Sequence, residues 1–189
     1  GSTKWKFTLT SVLMLFSPSI TGTELVFADM QCNVHCLGLS DGSVRWKVKG
    51  GGPMCKSTGG AVATSDGWVF HAGNRNLKKQ RNAPFGGVGV ARALSLKDGS
   101  VKWETQLSYE ANSTPSVCPC GPGGRRLVVF PLGANPGNRD QDLGDDWPMK
   151  LVALDMETGA PVWDSEKTMG LLQHRGQTAR QQDGQNLQP

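Results

Sequence analysis

The sequence has little of what marks several common protein classes. Charged residues make up only 19% of the chain and the formal net charge is +4. The low charge content excludes a charge-rich disordered tail. A net charge this small does not by itself indicate nucleic-acid binding. No apolar run approaches the roughly 18 residues that a membrane-spanning helix needs. There is one Tyr against six Trp, an imbalance that requires a specific explanation.

The cysteines match no familiar metal or disulfide pattern. Their number, five, is odd, so they cannot all pair within one chain. Neither Cys32 with Cys36 nor Cys118 with Cys120 has the C-x-x-C spacing of a zinc site. Free or structural thiols are the favoured interpretation, with a disulfide and a metal site as alternatives. The cysteines therefore leave the cellular compartment open.

Glycine is abundant and punctuates the chain. Gly accounts for 25 of 189 residues and Pro adds 11, where average usage of Gly is about 7%. Short β-branched segments between turn residues are typical of an all-β protein. The length fits one domain or a large part of one.

An eleven-residue segment occurs three times and accounts for most of the tryptophan. Residues 36–46 (CLGLSDGSVRW), 93–103 (ALSLKDGSVKW) and 153–163 (ALDMETGAPVW) superimpose without gaps. Each has Leu second, Gly seventh and Trp eleventh, and the Trp residues are 57 and 60 positions apart. The shared positions are Gly42, Gly99 and Gly159, and Trp46, Trp103 and Trp163.

The first residues fit the same repeat. GSTKW at the start aligns with residues 99–103 (GSVKW), which makes Trp5 a fourth repeat tryptophan. A coincidental cloning tag is the alternative for residues 1–2. Residues 4–20 also resemble a secretory signal, with two Lys before an apolar stretch. The repeat explains those residues better, because polar residues interrupt the apolar stretch.

The sequence between the tryptophans predicts the rest of each unit. A Ser-rich start and a Gly turn precede an apolar strand at residues 25–28, 68–72 and 127–130. The Leu-bearing strand, a hairpin turn and the Trp strand follow. Four antiparallel strands repeated in this way are typical of a β-propeller blade. We predict an all-β, partial β-propeller of about three four-stranded antiparallel blades plus the end strand of another, over residues 1–165. Residues 166–189 are predicted to be a Gln-rich C-terminal extension.

The third copy of the repeat resembles a known family pattern. ALDMETGAPVW matches A-x-D-x-x-T-G-x-x-x-W, the tryptophan-docking pattern of PQQ-type propeller repeats in quinoprotein dehydrogenases and their non-catalytic relatives. The resemblance implies that each Trp lies flat between neighbouring blades, stacked on the docking segment, with its N–H donated to backbone. The other copies carry Asp41 and Asp98 where the pattern has Thr, and Gly38 and Ser95 where it has Asp.

The resemblance carries no catalytic residue onto this chain. It implies that the family's enzymes hold a quinone and Ca²⁺ with an Asp base and oxygen ligands, and that methanol-type enzymes add adjacent cysteines. This sequence has no Cys-Cys pair. We therefore predict no catalytic residue and no cofactor, with PQQ and Ca²⁺ as the alternative.

Two loops of opposite charge are the candidates for binding. The acidic loop holds Asp140, Asp142 and Asp145, weak candidates for Ca²⁺ because a hard cation prefers several oxygen ligands. A solvated acidic loop is the favoured interpretation, since Gly144 breaks the EF-hand spacing. The basic loop supplies the partner-binding candidates, which are Arg75, Lys78, Lys79 and Arg81. It lacks the interleaved aromatics of single-strand nucleic-acid binders, and a solvated loop is favoured over a protein contact.

These observations favour a non-enzymatic protein-interaction scaffold, leaning away from an enzyme. Three blades cannot close a ring, so either further blades belong to a longer chain or other subunits cap the edges. The expected partners are protein subunits of a larger assembly, with a membrane-associated complex among the possibilities and no nucleic acid. The alternative is a fragment of a quinone-dependent dehydrogenase that oxidises alcohols or sugars. The resemblance favours a periplasmic, extracellular or organelle-lumenal location.

Overall fold

The structure, a computed structural model, consists almost entirely of short strands. It describes residues 1–13, 17–50, 55, 57, 62–75, 78–79, 84–85, 88–119, 121–133 and 149–165. In this part of the chain the only helical element is a 3₁₀ turn at Pro122–Gly124. The predicted C-terminal extension, residues 166–189, lies outside the described residues.

Twelve strands form three four-stranded antiparallel sheets, each a blade. Blade 1 contains β1 (Ser19–Thr21), β2 (Glu24–Ala28), β3 (Val34–Gly38) and β4 (Val44–Val48). Blade 2 contains β5 (Val62–Ser65), β6 (Trp68–Arg75), β9 (Val88–Ser95) and β10 (Val101–Gln106). Blade 3 contains β11 (Ser116–Cys118), β12 (Leu127–Gly133), β13 (Met149–Asp155) and β14 (Pro161–Asp164). A hairpin of β7 (Lys78–Lys79) and β8 (Pro84–Phe85) lies between β6 and β9.

The prediction of three four-stranded antiparallel blades is confirmed. In every blade the strands pair in chain order, and β5 contacts both β1 and β11. The blades are therefore arranged side by side with their first strands adjacent, as in a propeller.

Residues 1–13 run along blade 1. They pair with no strand in the described part of the chain, although the prediction placed the end strand of another blade there. The Phe7 ring lies 6.4 Å from that of Phe27, and the Met30 N–H donates to the Val12 carbonyl at 3.0 Å. These contacts attach the segment to the second strand of blade 1 and to the turn that follows it.

The core lies between the blades, because the middle strands are covered on both faces. All five residues of β3 are buried, and so are the six central residues of both β6 and β9. The outer strand β10 instead alternates, with Trp103 buried between exposed Lys102 and Glu104. One apolar cluster joins blades 1 and 2, and a second, around Phe70, Trp103 and Phe130, joins blades 2 and 3.

The two ends of the blades differ in regularity. The β3–β4, β9–β10 and β13–β14 turns meet at one end, and each comprises five residues, namely 39–43, 96–100 and 156–160. We call this the docking end. At the opposite end, the loop end, the middle strands are connected by residues 29–33, 76–87 and 134–148. The frame therefore repeats closely at one end, while the connections at the other end vary in length and sequence.

Candidate functional site

Tryptophan rings join the blades through one repeated contact at the docking end. Each indole N–H donates to the carbonyl oxygen of the first residue in the turn of the following unit. The pairs are Trp5 with Leu39 at 3.0 Å, Trp46 with Leu96 at 2.8 Å and Trp103 with Met156 at 2.9 Å. Burial of a Trp side chain removes roughly 150–250 Å² from water. Each junction thus combines a large apolar contact with one directional hydrogen bond.

The glycine of each turn lies directly beneath the ring. Gly42, Gly99 and Gly159 have φ angles of +68°, +73° and +72°. A β-carbon on Gly159 would come within 2.6 Å of the Trp103 ring, and one on Gly99 within 2.8 Å of the Trp46 ring. Glycine is therefore needed twice over, for the left-handed conformation and for the close approach.

A β-bulge aims each tryptophan at its neighbour. In blade 1, Trp46 pairs with Cys36 while Val44 pairs with Leu37, so Arg45 is the extra residue. The same shift precedes Trp103 in blade 2 and Trp163 in blade 3. A bulge bends the strand and redirects the following side chain. Sequence reasoning missed this feature, although the constant four-residue interval from Gly to Trp is its signal.

All three copies stabilise the turn with an Asp side chain, but at different positions. The third copy has it at the third position of the segment, and the other two copies have it at the sixth. In the third copy, Asp155 Oδ1 accepts from the Thr158 N–H at 2.9 Å and from its hydroxyl at 3.0 Å. In the first copy, Asp41 Oδ1 accepts from the Ser43 N–H at 3.0 Å and from its hydroxyl at 2.8 Å. A β-carbon on Gly38 would overlap Asp41 Oδ1, so in the first copy the carboxylate occupies space that a side chain at position 38 would take.

Asp98 stabilises the blade 2 turn in the same way, and the hydrogen bonds of the turn lower its pKa. Its Oδ1 accepts from the Ser100 N–H at 3.0 Å. Hydrogen bonds from the Ser100 N–H and hydroxyl, and from Ser95, lower the pKa of Asp98 to about 2. A carboxylate that accepts several hydrogen bonds is stabilised in its charged form.

The blade 2 turn is therefore expected to weaken in acid. The folded pKa of Asp98, about 2, lies below the roughly 3.9 of an unfolded Asp. Its contribution to stability is complete above pH ~4 and is lost as the pH falls toward 2. Asp98→Asn should make the decline of Tm between pH 4 and 2 shallower, as measured by circular dichroism. A variant with the parent's slope would contradict this.

Trp163 differs from the other repeat tryptophans. Its side chain is 39% exposed, whereas Trp46 and Trp103 are each 8% exposed. The prediction placed Trp163 flat between two blades. In the described part of the chain no turn of a following blade lies against it, because β14 belongs to the last described sheet. The repeat sequence alone cannot indicate this, since it is the neighbouring blade that buries the ring.

A buried polar cluster organises the loop end of blade 1. The carboxyl group of Asp29, 1% exposed, accepts from the backbone N–H groups of Gln31 at 2.9 Å and Asn33 at 3.0 Å. It also accepts from the Asn33 amide at 2.8 Å and contacts His35 Nε2 at 3.0 Å. The His35 ring stacks on Phe27 with a centroid distance of 4.9 Å. These contacts indicate a structural role for His35.

A second buried cluster bridges blades 1 and 2. The Arg92 guanidinium donates to the carbonyls of Cys32 at 2.8 Å and Lys49 at 3.2 Å, and contacts His71 Nδ1 at 3.3 Å. Burial and the Arg92 charge lower the pKa of His71 to about 3. His71 is therefore neutral at physiological pH, and its Nδ1 can accept from the guanidinium.

Of the partner-binding candidates, Arg75 is occupied within the fold. Its guanidinium forms a bidentate ion pair with Glu104 of β10. Lys78 and Lys79 form β7 and pair in register with Phe85 and Pro84. Arg81 lies outside the described residues. Arg75 thus anchors the start of the basic loop, while the two lysines lie in its hairpin.

The three calcium candidates, Asp140, Asp142 and Asp145, all lie outside the described residues. Within the described ranges, no three His, Cys, Asp or Glu side chains are grouped so that they could hold a metal ion. The same ranges include no helix long and apolar enough to cross a membrane.

The cysteines divide into two kinds. Cys32, Cys36 and Cys55 are free and buried, and Cys118 is disulfide-bonded. Sequence reasoning favoured free or structural thiols with a disulfide as an alternative, and Cys118 matches that alternative. Sequence reasoning missed that Cys32 and Cys55, which belong to different loops, come together.

Comparison with known proteins identifies the repeats. A family model described as "Outer membrane protein assembly factor BamB" matches residues 1–166, whereas no curated protein matches the chain. A solved structure of BamB from Moraxella catarrhalis is 20% identical over 76% of this chain and 34% of that chain, with a TM-score of 0.45.

Two quinoprotein structures are also similar. Quinohemoprotein alcohol dehydrogenase ADHIIG from Pseudomonas putida HK5 is 14% identical over 78% of this chain and 25% of that chain, with a TM-score of 0.54. A europium-containing methanol dehydrogenase is 16% identical over 85% of this chain and 35% of that chain, with a TM-score of 0.56. At this identity the likeness shows the propeller fold alone, and this chain spans about a third or less of each relative. Together with the repeated tryptophan junctions, the match over residues 1–166 places the chain in the PQQ-like propeller repeat family whose model describes the outer membrane protein assembly factor BamB.

Proposed function

We propose that the chain is a non-enzymatic scaffold that holds protein subunits of a larger assembly through its loop end. The observation that carries the proposal is the contrast between the two ends of the blades. At the docking end the five-residue turns contact the tryptophan rings that join the blades. At the loop end the connections between middle strands differ, as expected where specificity is added to a rigid frame.

The basic connection of blade 2 is the proposed contact. Arg75 is held by Glu104 at the end of β6, and the β7–β8 hairpin follows with Lys78 and Lys79. Clustered positive charge on an anchored hairpin favours an acidic protein surface. The family model, which describes an assembly factor of the outer membrane, supports a partner within an assembly.

An extracytoplasmic location is part of the proposal. The family description names the outer membrane, and the disulfide at Cys118 fits an oxidising compartment. The partner would then be a protein of the same compartment.

Charge reversal at the basic hairpin tests the contact. Replacing Lys78, Lys79 and Arg81 with Glu should weaken co-purification of a chemically cross-linked partner about tenfold, which equals about 1.4 kcal/mol. Tm should not change, because the reversal spares the anchoring pair of Arg75 and Glu104. The matched control reverses three exposed lysines elsewhere, namely Lys4, Lys97 and Lys102, and should retain the partner.

The dehydrogenase alternative predicts a different result. Addition of PQQ and Ca²⁺ to the full chain would then produce quinone absorbance and dye-linked oxidation of an alcohol or a sugar. Such turnover would overturn the scaffold proposal. Equal retention of the partner by the reversed and parent chains would show that the basic hairpin is not the contact.

A further inference from the structure

Two buried thiols from different loops meet at the loop end between blades 1 and 2. Cys32 lies in the turn after β2, and Cys55 lies in the connection between β4 and β5, 23 positions further along the chain. Both are free, with Cys32 fully buried and Cys55 8% exposed. The two thiols are neighbours, and each alters the pKa of the other.

The backbone of Cys32 is held so that its sulfur faces blade 2. Its φ of +60° is left-handed, a conformation that residues other than glycine adopt rarely. The Cys32 N–H donates to the Asp29 carbonyl at 2.9 Å, and its own carbonyl accepts from Arg92 at 2.8 Å. Backbone conformations of this kind persist only where the surroundings impose them, and they are concentrated at functional positions.

Both sulfurs lie over one glycine of blade 2. A β-carbon on Gly73 would be 2.5 Å from Cys32 Sγ and 3.4 Å from Cys55 Sγ. Gly73 therefore leaves the space that the sulfur pair occupies. The juxtaposition needs contributions from a turn, a connection between blades and a middle strand, so it is a feature of the assembled fold.

The electrostatic surroundings distinguish the two thiols. Donation by the Cys32 thiol, helped by the charges of Arg92 and Arg75, lowers the pKa of Cys55 against the effect of burial. The same hydrogen bond, together with burial, raises the pKa of Cys32. Since the thiolate is the nucleophile in disulfide exchange, Cys55 is the thiol prepared to react first.

We propose that Cys32 and Cys55 form a reversible disulfide by exchange with a small-molecule disulfide such as oxidised glutathione. The Cys55 thiolate attacks one sulfur of that disulfide, forming a mixed disulfide and releasing one thiolate, which takes the proton of Cys32. Cys32 then attacks the Cys55 sulfur and displaces the second thiolate, which is protonated by solvent. Two protein thiols are oxidised and one external disulfide is reduced. The inference is independent of the proposed scaffold function.

The bond would attach the connection between blades to the turn of blade 1. Closing a loop of this length restricts the unfolded chain. The expected increase in Tm on oxidation is about 6–12 °C for a chain of this size. The disulfide would thereby stabilise the junction that Arg92 already bridges by hydrogen bonds to Cys32 and Lys49.

Peptide mapping of the full chain tests the proposal. The protein is equilibrated in mixtures of reduced and oxidised glutathione, alkylated, digested without reductant and analysed by mass spectrometry. The expected product is a cross-linked pair of peptides containing Cys32 and Cys55, which increases with the oxidised fraction and accompanies the rise in Tm. Cys118, already disulfide-bonded, is distinguished by its own peptide.

Matched variants separate this pair from the third free thiol. Cys55→Ser should abolish both the cross-link and the glutathione-dependent shift in Tm. Cys36→Ala, which removes the third buried free cysteine of the described residues, should preserve both. Alkylation of Cys32 and Cys55 at every glutathione ratio, or a cross-link that includes Cys36, would overturn the proposal.

Discussion

Trp103→Ala is expected to lower the free energy of unfolding by about 3–5 kcal/mol, as for other large-to-small changes at buried aromatic residues. The Trp103 ring packs between β10 and the β13–β14 turn, close to Phe70, and donates to the Met156 carbonyl at 2.9 Å. Its removal opens a cavity between blades 2 and 3 and leaves that carbonyl without the indole donor. Urea unfolding of parent and variant measures the loss.

Trp163→Ala is the matched control for this change. It is the same substitution at the equivalent repeat position, but the ring is 39% exposed. The expected loss is about 1 kcal/mol or less, since exposed substitutions have small effects. Equal losses for the two variants would mean that Trp103 does not stabilise the protein through its junction with the next blade.

Gly159→Ala is expected to destabilise the same junction from its other side, by about 2–5 kcal/mol. The left-handed φ of +72° costs a residue with a β-carbon roughly 1–2 kcal/mol. The added carbon would also lie 2.6 Å from the Trp103 ring and 2.9 Å from Thr105 Oγ1. Overpacking of this kind typically adds about 1–3 kcal/mol. Urea unfolding again measures the effect.

Gly67→Ala separates the two contributions. Gly67 has a φ of +79°, but a β-carbon there would have no atom within 4 Å. This control should therefore lose only the conformational part, about 1–2 kcal/mol. If Gly159→Ala cost no more than Gly67→Ala, the ring would not lie against the glycine as the structure has it.

The repeating frame could be predicted because its signals are local. The interval from Leu to Gly to Trp in each eleven-residue segment predicted a hairpin, and all three hairpins are present. The positive φ angles of Gly42, Gly99 and Gly159 follow from the same local requirement for a tight turn. Such features depend on residues a few positions apart, so one sequence suffices to predict them.

The different positions of Asp in the docking turns could be predicted only in part. Asp41 and Asp98 looked like departures from the family pattern, which has Asp at the position of Asp155. The structure shows that each accepts from the backbone N–H of a serine two residues later, so the turn is stabilised by a different acid. The sequence shows that the first copy has Gly38 at the third position and Asp41 at the sixth. Only the structure shows that the two differences are linked, because Asp41 Oδ1 lies beside Gly38.

Arg75, at the start of the basic loop, forms an ion pair that the sequence did not indicate. Arg75 was predicted as a partner-binding residue together with Lys78, Lys79 and Arg81. Its partner is Glu104, 29 positions away on the outer strand of the same blade. An ion pair between strands cannot be inferred from a run of basic residues, because sequence separation gives no information about the facing side chain.

By itself, the sequence determined that this protein is built from four-stranded PQQ-like repeats with tryptophan and glycine at fixed positions. Periodicity and turn chemistry act within one unit, so they can be recognised wherever the unit occurs. Only the tertiary structure decided which rings are buried, that Asp29 gathers a polar cluster, and that Cys32 lies against Cys55 over Gly73. These properties arise where separate units touch, and such contacts depend on how the blades pack rather than on the order of residues within any one of them.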